Sequence, residues 1–278
     1  MTIYTHALNI GSIRCTVIAD GVNEVDDDHV LRLYGKMPEE DVRAALKTVT
    51  RPMMNAFNCL LIQSGDQNLL IDTGMGPAYP AGIGGGIVAG LDALNIQPDA
   101  IDTVFISHFH GDHVNGLVHK DGSPVYPNAR YLSNRLEWEA WHGDAIKERF
   151  GETWAEAMAP VMAIQDRLTT IEVGDDLLPG VTTIPIYGHT PGHTGLRIES
   201  DGDTLLCLVD GLLRQIQLPY PDWKPLFDHA PEEAVKTRRE LLGKAADENL
   251  LTLLYHFPFP GLGHLKRDGD GFTWHPVA

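Results

Sequence analysis

The chain has 278 residues, of which 43% are hydrophobic and 8% aromatic, enough to fill a sizeable core. Lys and Arg total 21 against 38 Asp and Glu, a formal net charge of −17 that repels phosphate backbones and anionic lipid surfaces and argues against nucleic-acid or membrane-surface partners. No stretch reaches the roughly 18 uninterrupted apolar residues of a membrane span, and the start MTIYTHALNIGSIRC shows no cationic segment followed by an apolar one, so a cytoplasmic protein is expected.

The first β-branched run, IRCTVIA from Ile13, reads as a strand. The DDD run at 26 to 28 reads as an exposed charged turn, since no EF-hand spacing follows it. PEEDVRAALKTV at 38 to 49 reads as a helix opened by a proline with acidic residues behind it, which suits the helix dipole. NCLLIQS from Asn58 and NLLIDTG from Asn68 are strands joined by the turn signal SGDQN. The glycine-rich piece GIGGGIVAG at 82 to 90 lacks the G-x-G-x-x-G spacing and follows a loop, so it reads as a loop leading into a helix over 86 to 96 rather than a nucleotide site.

TVFISH from Thr103 and ARYLS from Ala129 continue the strands, and NRLEWEAWH (134 to 142) and the stretch from Asp144 to about Arg167 read as helical. A second group of strands follows: RLTTIEV, VTTIPIYG, TGLRIES, DTLLCLVDG and NLLTLLYHF. SDGDT at 200 to 204 marks a hairpin and PEEAVKTRRELLGKAADE (231 to 248) a helix. The runs are apolar on both parities, which predicts two mixed sheets packed face to face with helices outside, a four-layer αββα sandwich of the α/β class, as one domain over 1–278. Cys15, Cys59 and Cys207 are odd in number, far apart and set in apolar runs, as buried reduced thiols are.

SHFHGDH at 107 to 113 packs three histidines and an aspartate into a few positions just past a predicted strand. His108 and His110, two apart, project in the same direction; Gly111 lets the chain turn, and Asp112 and His113 begin the next segment. Imidazole with carboxylate is the donor set of zinc and its neighbours. GHTPGHT adds His189 and His193, between which spacing alone does not choose, and Asp210 and His256 each stand at the end of an apolar strand.

These segments, from LIDTG at 70 to 74 through SHFHGDH, GHTPGH and VDG to YHFPFPG at 255 to 261, resemble the metallo-β-lactamase superfamily. The resemblance implies His193 rather than His189 as ligand. His108, His110 and His193 would hold one divalent ion, Asp112, His113 and His256 the other, with Asp210 bridging and the two ions zinc by preference. Asp72 and His189 would support the ligands from behind, and Asp112 and Asp210 would act at the reacting centre. Two ions with an open position imply a hydrolase in which a shared water attacks an ester, lactone or phosphotriester. There is no G-x-S-x-G to suggest a serine mechanism.

Among the branches of the superfamily, the 22 residues after His256 leave no room for the glutathione-holding helices of glyoxalase-II-type thioesterases, and the charge disfavours its nucleases. HFPFPGLGHL at 256 to 265, and more generally QLPYPDW at 217 to 223, resemble the methyl-parathion-hydrolase group, which is the favoured reading. The acyl-homoserine lactonases are the alternative. They carry a tyrosine three residues after the bridging aspartate where this chain has Leu213, with Tyr220 as a substitute from the same loop. A non-hydrolytic di-iron redox or metal-holding protein is the alternative from another class. Tyr220, Trp223, Phe257 and Phe259 are the expected aromatic lining of a pocket for a small-molecule ester, lactone or organophosphate. His119, His142, His229, His264 and His275 are expected to be structural or solvated, and a homodimer is compatible with the sequence.

Overall fold

The computed structural model describes residues 2–80 and 83–277, and Gly82 of the glycine-rich piece lies outside them. The first half supplies β1 (Thr5–Ile10), β2 (Ile13–Glu24), α1 (Asp27–Leu33), α2 (Glu39–Leu46), β3 (Met54–Ser64), β4 (Gln67–Ile71), α3 (Gly86–Ala93), β5 (Thr103–Ile106), α4 (Gly111–Val114), β6 (Arg130–Asn134), α5 (Arg135–His142), α6 (Asp144–Phe150), α7 (Trp154–Met162) and β7 (Leu168–Ile171). The second supplies β8 (Asp176–Leu178), β9 (Val181–Pro185), β10 (Thr194–Ser200), β11 (Asp203–Cys207), α8 (Pro231–Asp247), β12 (Leu251–Leu253), β13 (Leu262–Asp268) and β14 (Gly271–Pro276).

Each sheet has seven strands in spatial order of sequence, β1 to β7 in one and β8 to β14 in the other. β1 to β4 run antiparallel and β4 to β7 parallel; in the second sheet only β11 and β12 are parallel. Both predicted hairpins are present, β3 with β4 and β10 with β11. One apolar core takes residues from both sheets, with Val17, Leu61 and Leu70 of the first in the same cluster as Leu196, Leu205 and Leu253 of the second, as the strands' two-sided apolar character requires. Leu242 and Ala245 of α8 cover the second sheet's other face against Leu206, Leu265 and Phe272. These are the two mixed sheets and outer helices of the expected sandwich. Cys15, Cys59 and Cys207 are free and buried.

Some short or polar elements differ from the sequence expectation. DDD at 26 to 28 does not form a turn: Asp26 accepts the His29 amide N–H at 2.7 Å as an N-cap, and Asp27 and Asp28 occupy the first turn of α1. The edge strands β1, β8 and β14, and β13 beside β14, escape a reading based on apolar runs because they carry polar outward residues, as in HLKRD of β13. α1 and α2 pack through Val30, Leu33, Tyr34 and Val42 onto Leu213, Ile216 and Trp223, forming a separate small core beside the strand ends.

Parallel pairing sets up the site. Because β4, β5 and β6 run the same way, Asp72, Ser107 with His108, and Asn134 emerge at one edge of the first sheet. In the second sheet the parallel pair β11 and β12 delivers Asp210 and His256 from adjacent carboxyl ends, while His193 stands just before β10, antiparallel to β11. The Thr194 amide donates to the Ser107 carbonyl at 3.1 Å, joining the two edges.

Candidate metal centre

The SHFHGDH segment leaves β5 and turns into the one-turn helix α4, so its side chains fan out from the strand end. His108 Nε2 lies 3.1 Å from His110 Nδ1, which in turn lies 3.0 Å from His189 Nε2. Three groups of side chains have ligand atoms close enough to share an ion: His108, His110 and His189; His108, His113 and Asp210; and Asp112, His113 and His256. Asp210 is common ground, with carboxylate oxygens 3.4 Å from His113 Nε2 and 3.3 Å from both His189 Nε2 and His256 Nε2. Asp112 approaches His256 Nε2 at 3.4 Å.

The chemistry of these atoms fits divalent cations. His113 Nε2, His193 Nε2 and Asp210 Oδ1 are buried without any hydrogen-bond partner, a costly arrangement that coordination would relieve. Burial first, then neighbouring imidazoles, holds His108, His110 and His193 well below the ordinary histidine pKa, so they stay neutral and available as ligands. His113 goes the other way: burial opposes its charged form, but Asp210, Asp72 and Asp112 outweigh it and raise the pKa well above the ordinary value. His189 is likewise lifted to about 9, against burial, by its hydrogen bonds to Asp210 and Asp228.

Outer partners fix the rings. Asp72 Oδ2 lies 2.8 Å from His113 Nδ1, and its Oδ1 accepts the Ser107 amide at 2.8 Å. Ser107 Oγ lies 3.0 Å from His108 Nδ1, the Ile186 carbonyl 3.0 Å from His193 Nδ1, and Asn55 Oδ1 3.2 Å from His256 Nδ1. Asp228 links His189 Nδ1 at 3.0 Å to Arg238 at 3.1 Å. Two residues here take left-handed backbone: Asp72 has φ +58° and Val209, β-branched and directly before Asp210, has φ +43°.

Glu137 of α5 holds the two histidine loops together. Its Oε1 accepts the Phe109 amide at 3.0 Å and Trp141 Nε1–H at 2.7 Å, while Oε2 accepts Thr190 Oγ–H at 2.7 Å and the Gly192 amide at 2.9 Å. Burial raises its pKa, and these hydrogen bonds pull against that. Sequence reading missed Glu137, Asn55 and Asp228. Glu137 looks like one more helix residue, and only its fully buried position between the loops marks it out.

A cavity of about 860 Å³ opens onto the cluster, with His110, Asp112, His189, Asp210 and His256 in its wall. Its apolar lining includes Val25, Leu33, Phe57, Met75, Phe150 and Phe227. The predicted pocket aromatics do not line it. Phe257 is buried against Trp274 under α8, and Phe259 packs against Tyr4. Trp223 packs on Tyr34 in the small core, and Tyr220 stacks on Trp223 with ring centroids 4.6 Å apart, so it does not stand in for a tyrosine at Leu213. These rings follow backbone segments that turn away from the strand ends, which residue type does not reveal. Leu213 itself lines the cavity, as does His229, expected to be structural or solvated.

The profile of the metallo-beta-lactamase superfamily matches residues 57–256, more than half of the chain, from within β3 to His256. The chain belongs to the metallo-β-lactamase superfamily. The structure of AidC, a dizinc quorum-quenching lactonase in complex with a product, superposes with a TM-score of 0.91 at 25% identity, covering 99% of this chain and 98% of that one. That of AbOPH, a hydrolase in the β-lactamase superfamily, gives 0.85 at 26%, covering 100% and 99%. An N-acyl homoserine lactonase of Bacillus thuringiensis is 25% identical over 203 residues, 66% of this chain and 74% of the relative. This metallo-β-lactamase chain is therefore a metallo-hydrolase by family, with a histidine and aspartate cluster suited to divalent ions at the family's strand ends.

Proposed function

We propose that this metallo-hydrolase opens lactones or closely related carboxylic esters, using two zinc ions. The carrying observation is that Asp210, within 3.4 Å of His113 and 3.3 Å of His189 and His256, stands between the group of His108, His110 and His189 and the group of Asp112, His113 and His256, beside one cavity with an apolar wall. Likeness to AidC and to the Bacillus lactonase supports a lactone over the phosphotriester that the C-terminal motif suggested.

His108, His110 and His193 would hold one ion, Asp112, His113 and His256 the other, with Asp210 between them. Bound zinc supplies an acidified water and an electrophile for the carbonyl oxygen. Asp112, part of the cavity wall and 28% exposed in its side chain, turns a carboxylate toward substrate, where it orients the attacking water and accepts its proton. His189 stands beside His110 and Asp210, held by Asp228, and keeps that end of the site in register. Val25, Leu33, Phe57 and Phe227 exclude bulk water and seat an apolar substituent.

A panel of N-acyl homoserine lactones, aryl lactones, p-nitrophenyl esters and methyl parathion, run on metal-quantified protein, tests this. The expected result is turnover of lactones and carboxylic esters well above methyl parathion. If the metal-loaded protein leaves every carboxylic ester and lactone untouched, the reading is wrong.

A further inference from the structure

Among the described residues, the Asp, Glu, Lys and Arg of the active-site cavity wall number four: Asp112 and Asp210, which the metals would engage, and Arg149 and Arg214. Among the described residues neither arginine forms an ion pair with a carboxylate, whereas Arg238, Arg239 and Arg267 each do. Arg214 meets neutral partners only. Its Nη1 donates to Asn55 Oδ1 and the Leu213 carbonyl, both at 2.8 Å, its Nη2 lies 3.4 Å from His29 Nε2, and its Nε is buried with no partner at all.

The two cations bracket the cluster. Asn55 Oδ1, which accepts from Arg214, also faces His256 Nδ1 at 3.2 Å, so Arg214 is one side chain removed from the His256 end. Arg149, exposed, donates to the Leu226 carbonyl at 3.2 Å and borders Phe227 and His229, whose rings lie 6.3 Å and 5.6 Å from that of His110, at the other end. Asp210 and Asp112 act on Arg214 only through space and would be engaged by the metals; a guanidinium drawn partly out of water with no carboxylate in contact is unfavourable, and an anion docking beside it restores the balance. In a chain of net charge −17, the metal-loaded cavity becomes a cationic pocket inside an anionic surface.

We infer that Arg214, assisted by Arg149, selects a substrate whose non-reacting part carries a carboxylate: an ester or lactone with an apolar body and an anionic substituent. This rests on the ester-hydrolase reading above and narrows it.

The test compares two γ-lactones that share a short alkyl chain, one ending in a carboxylate and the other in the isosteric carboxamide, on the metal-loaded wild-type chain and on Arg214→Gln. The wild type should favour the carboxylate by about tenfold or more in kcat/KM, as expected of a charge-assisted contact in a partly desolvated wall. In Arg214→Gln the ratio should fall toward one, whatever happens to the absolute rates. Should that variant fail to fold, the wild-type ratio is measured against ionic strength. It should shrink as salt rises, and a ratio indifferent to salt would overturn the inference. Equal turnover of both lactones by the wild type, or a ratio unchanged in Arg214→Gln, also overturns it while leaving the hydrolase reading standing. If the metal-loaded wild type opens neither lactone nor any ester of the wider panel, the hydrolase reading itself fails and this inference with it.

Discussion

The Glu137 carboxylate accepts the Gly192 amide N–H at 2.9 Å, tying α5 to the loop that carries His189 and His193. Its other oxygen takes the Phe109 amide from between His108 and His110. One buried side chain thus sets the distance between two ligand-bearing loops that are about 80 residues apart in sequence.

Glu137→Ala should therefore be costly even without metal. It strands buried donors on Phe109, Trp141, Thr190 and Gly192, and at about 1–3 kcal/mol for each unsatisfied group the loss should reach at least about 3 kcal/mol in urea unfolding of the metal-free protein. Gly192→Ala should act through the same contact, since a Cβ there would lie 2.1 Å from the Glu137 backbone nitrogen. A fall of less than about 1 kcal/mol in both variants would mean the loops are held by something else.

Among the described residues, Asp72 reaches the cluster through His113 and Ser107. Asp72→Asn keeps the shape but weakens the hold on the His113 ring, and the expected outcome is a loss of about 10- to 100-fold in metal affinity with the fold retained. Competitive chelator titration, with circular dichroism as the control for folding, measures it. Unchanged affinity would remove Asp72 from the account.

The thiols provide a pH-dependent check away from the metals. Burial pushes Cys15 and Cys207 up to about 12 and Cys59 well above the ordinary range, so almost no thiolate exists in the native state near neutrality. An aromatic disulfide reagent at pH 8 should find no reactive thiol in the native protein and all three after denaturation. Raising the pH while the fold holds should increase the rate, because it is the deprotonated form that reacts. Prompt labelling of the folded chain at pH 8 would contradict the burial described.

Phe227, 54% exposed at the cavity wall, offers its ring to an apolar substituent. Phe227→Ala should raise KM for long-chain acyl lactones by about five-fold, the equivalent of roughly 1 kcal/mol of lost apolar contact, with little change for short ones. A chain-length profile of KM reads this directly, and a uniform change across chain lengths would place the acyl group elsewhere.

The strands that build the site were legible because both faces of β3, β5 and β11 are apolar and their ends are punctuated by polar ligand-type residues. SHFHGDH was legible for the same reason, since its spacing follows from a strand turning into a one-turn helix. β13, next to the sheet edge, was not, because its outward side chains are charged. The bracing by Glu137 and Asn55 depends on contacts across 28 and 201 residues, which no local pattern encodes. The pocket failed for a related reason: Trp223 and Phe257 have the composition of a lining, but Tyr34 and Trp274 claim them for cores. Cavity residues such as Phe57 and Phe150 carry no local signal of that role.

The most direct test of the two-ion account is a zinc titration of metal-stripped protein, followed by the initial rate of opening of N-hexanoyl homoserine lactone and of the carboxylate-bearing γ-lactone. The account predicts no ring opening without metal and a rate that rises to a plateau at two equivalents of zinc per chain. A plateau at one equivalent, or full activity in the stripped protein, would contradict it.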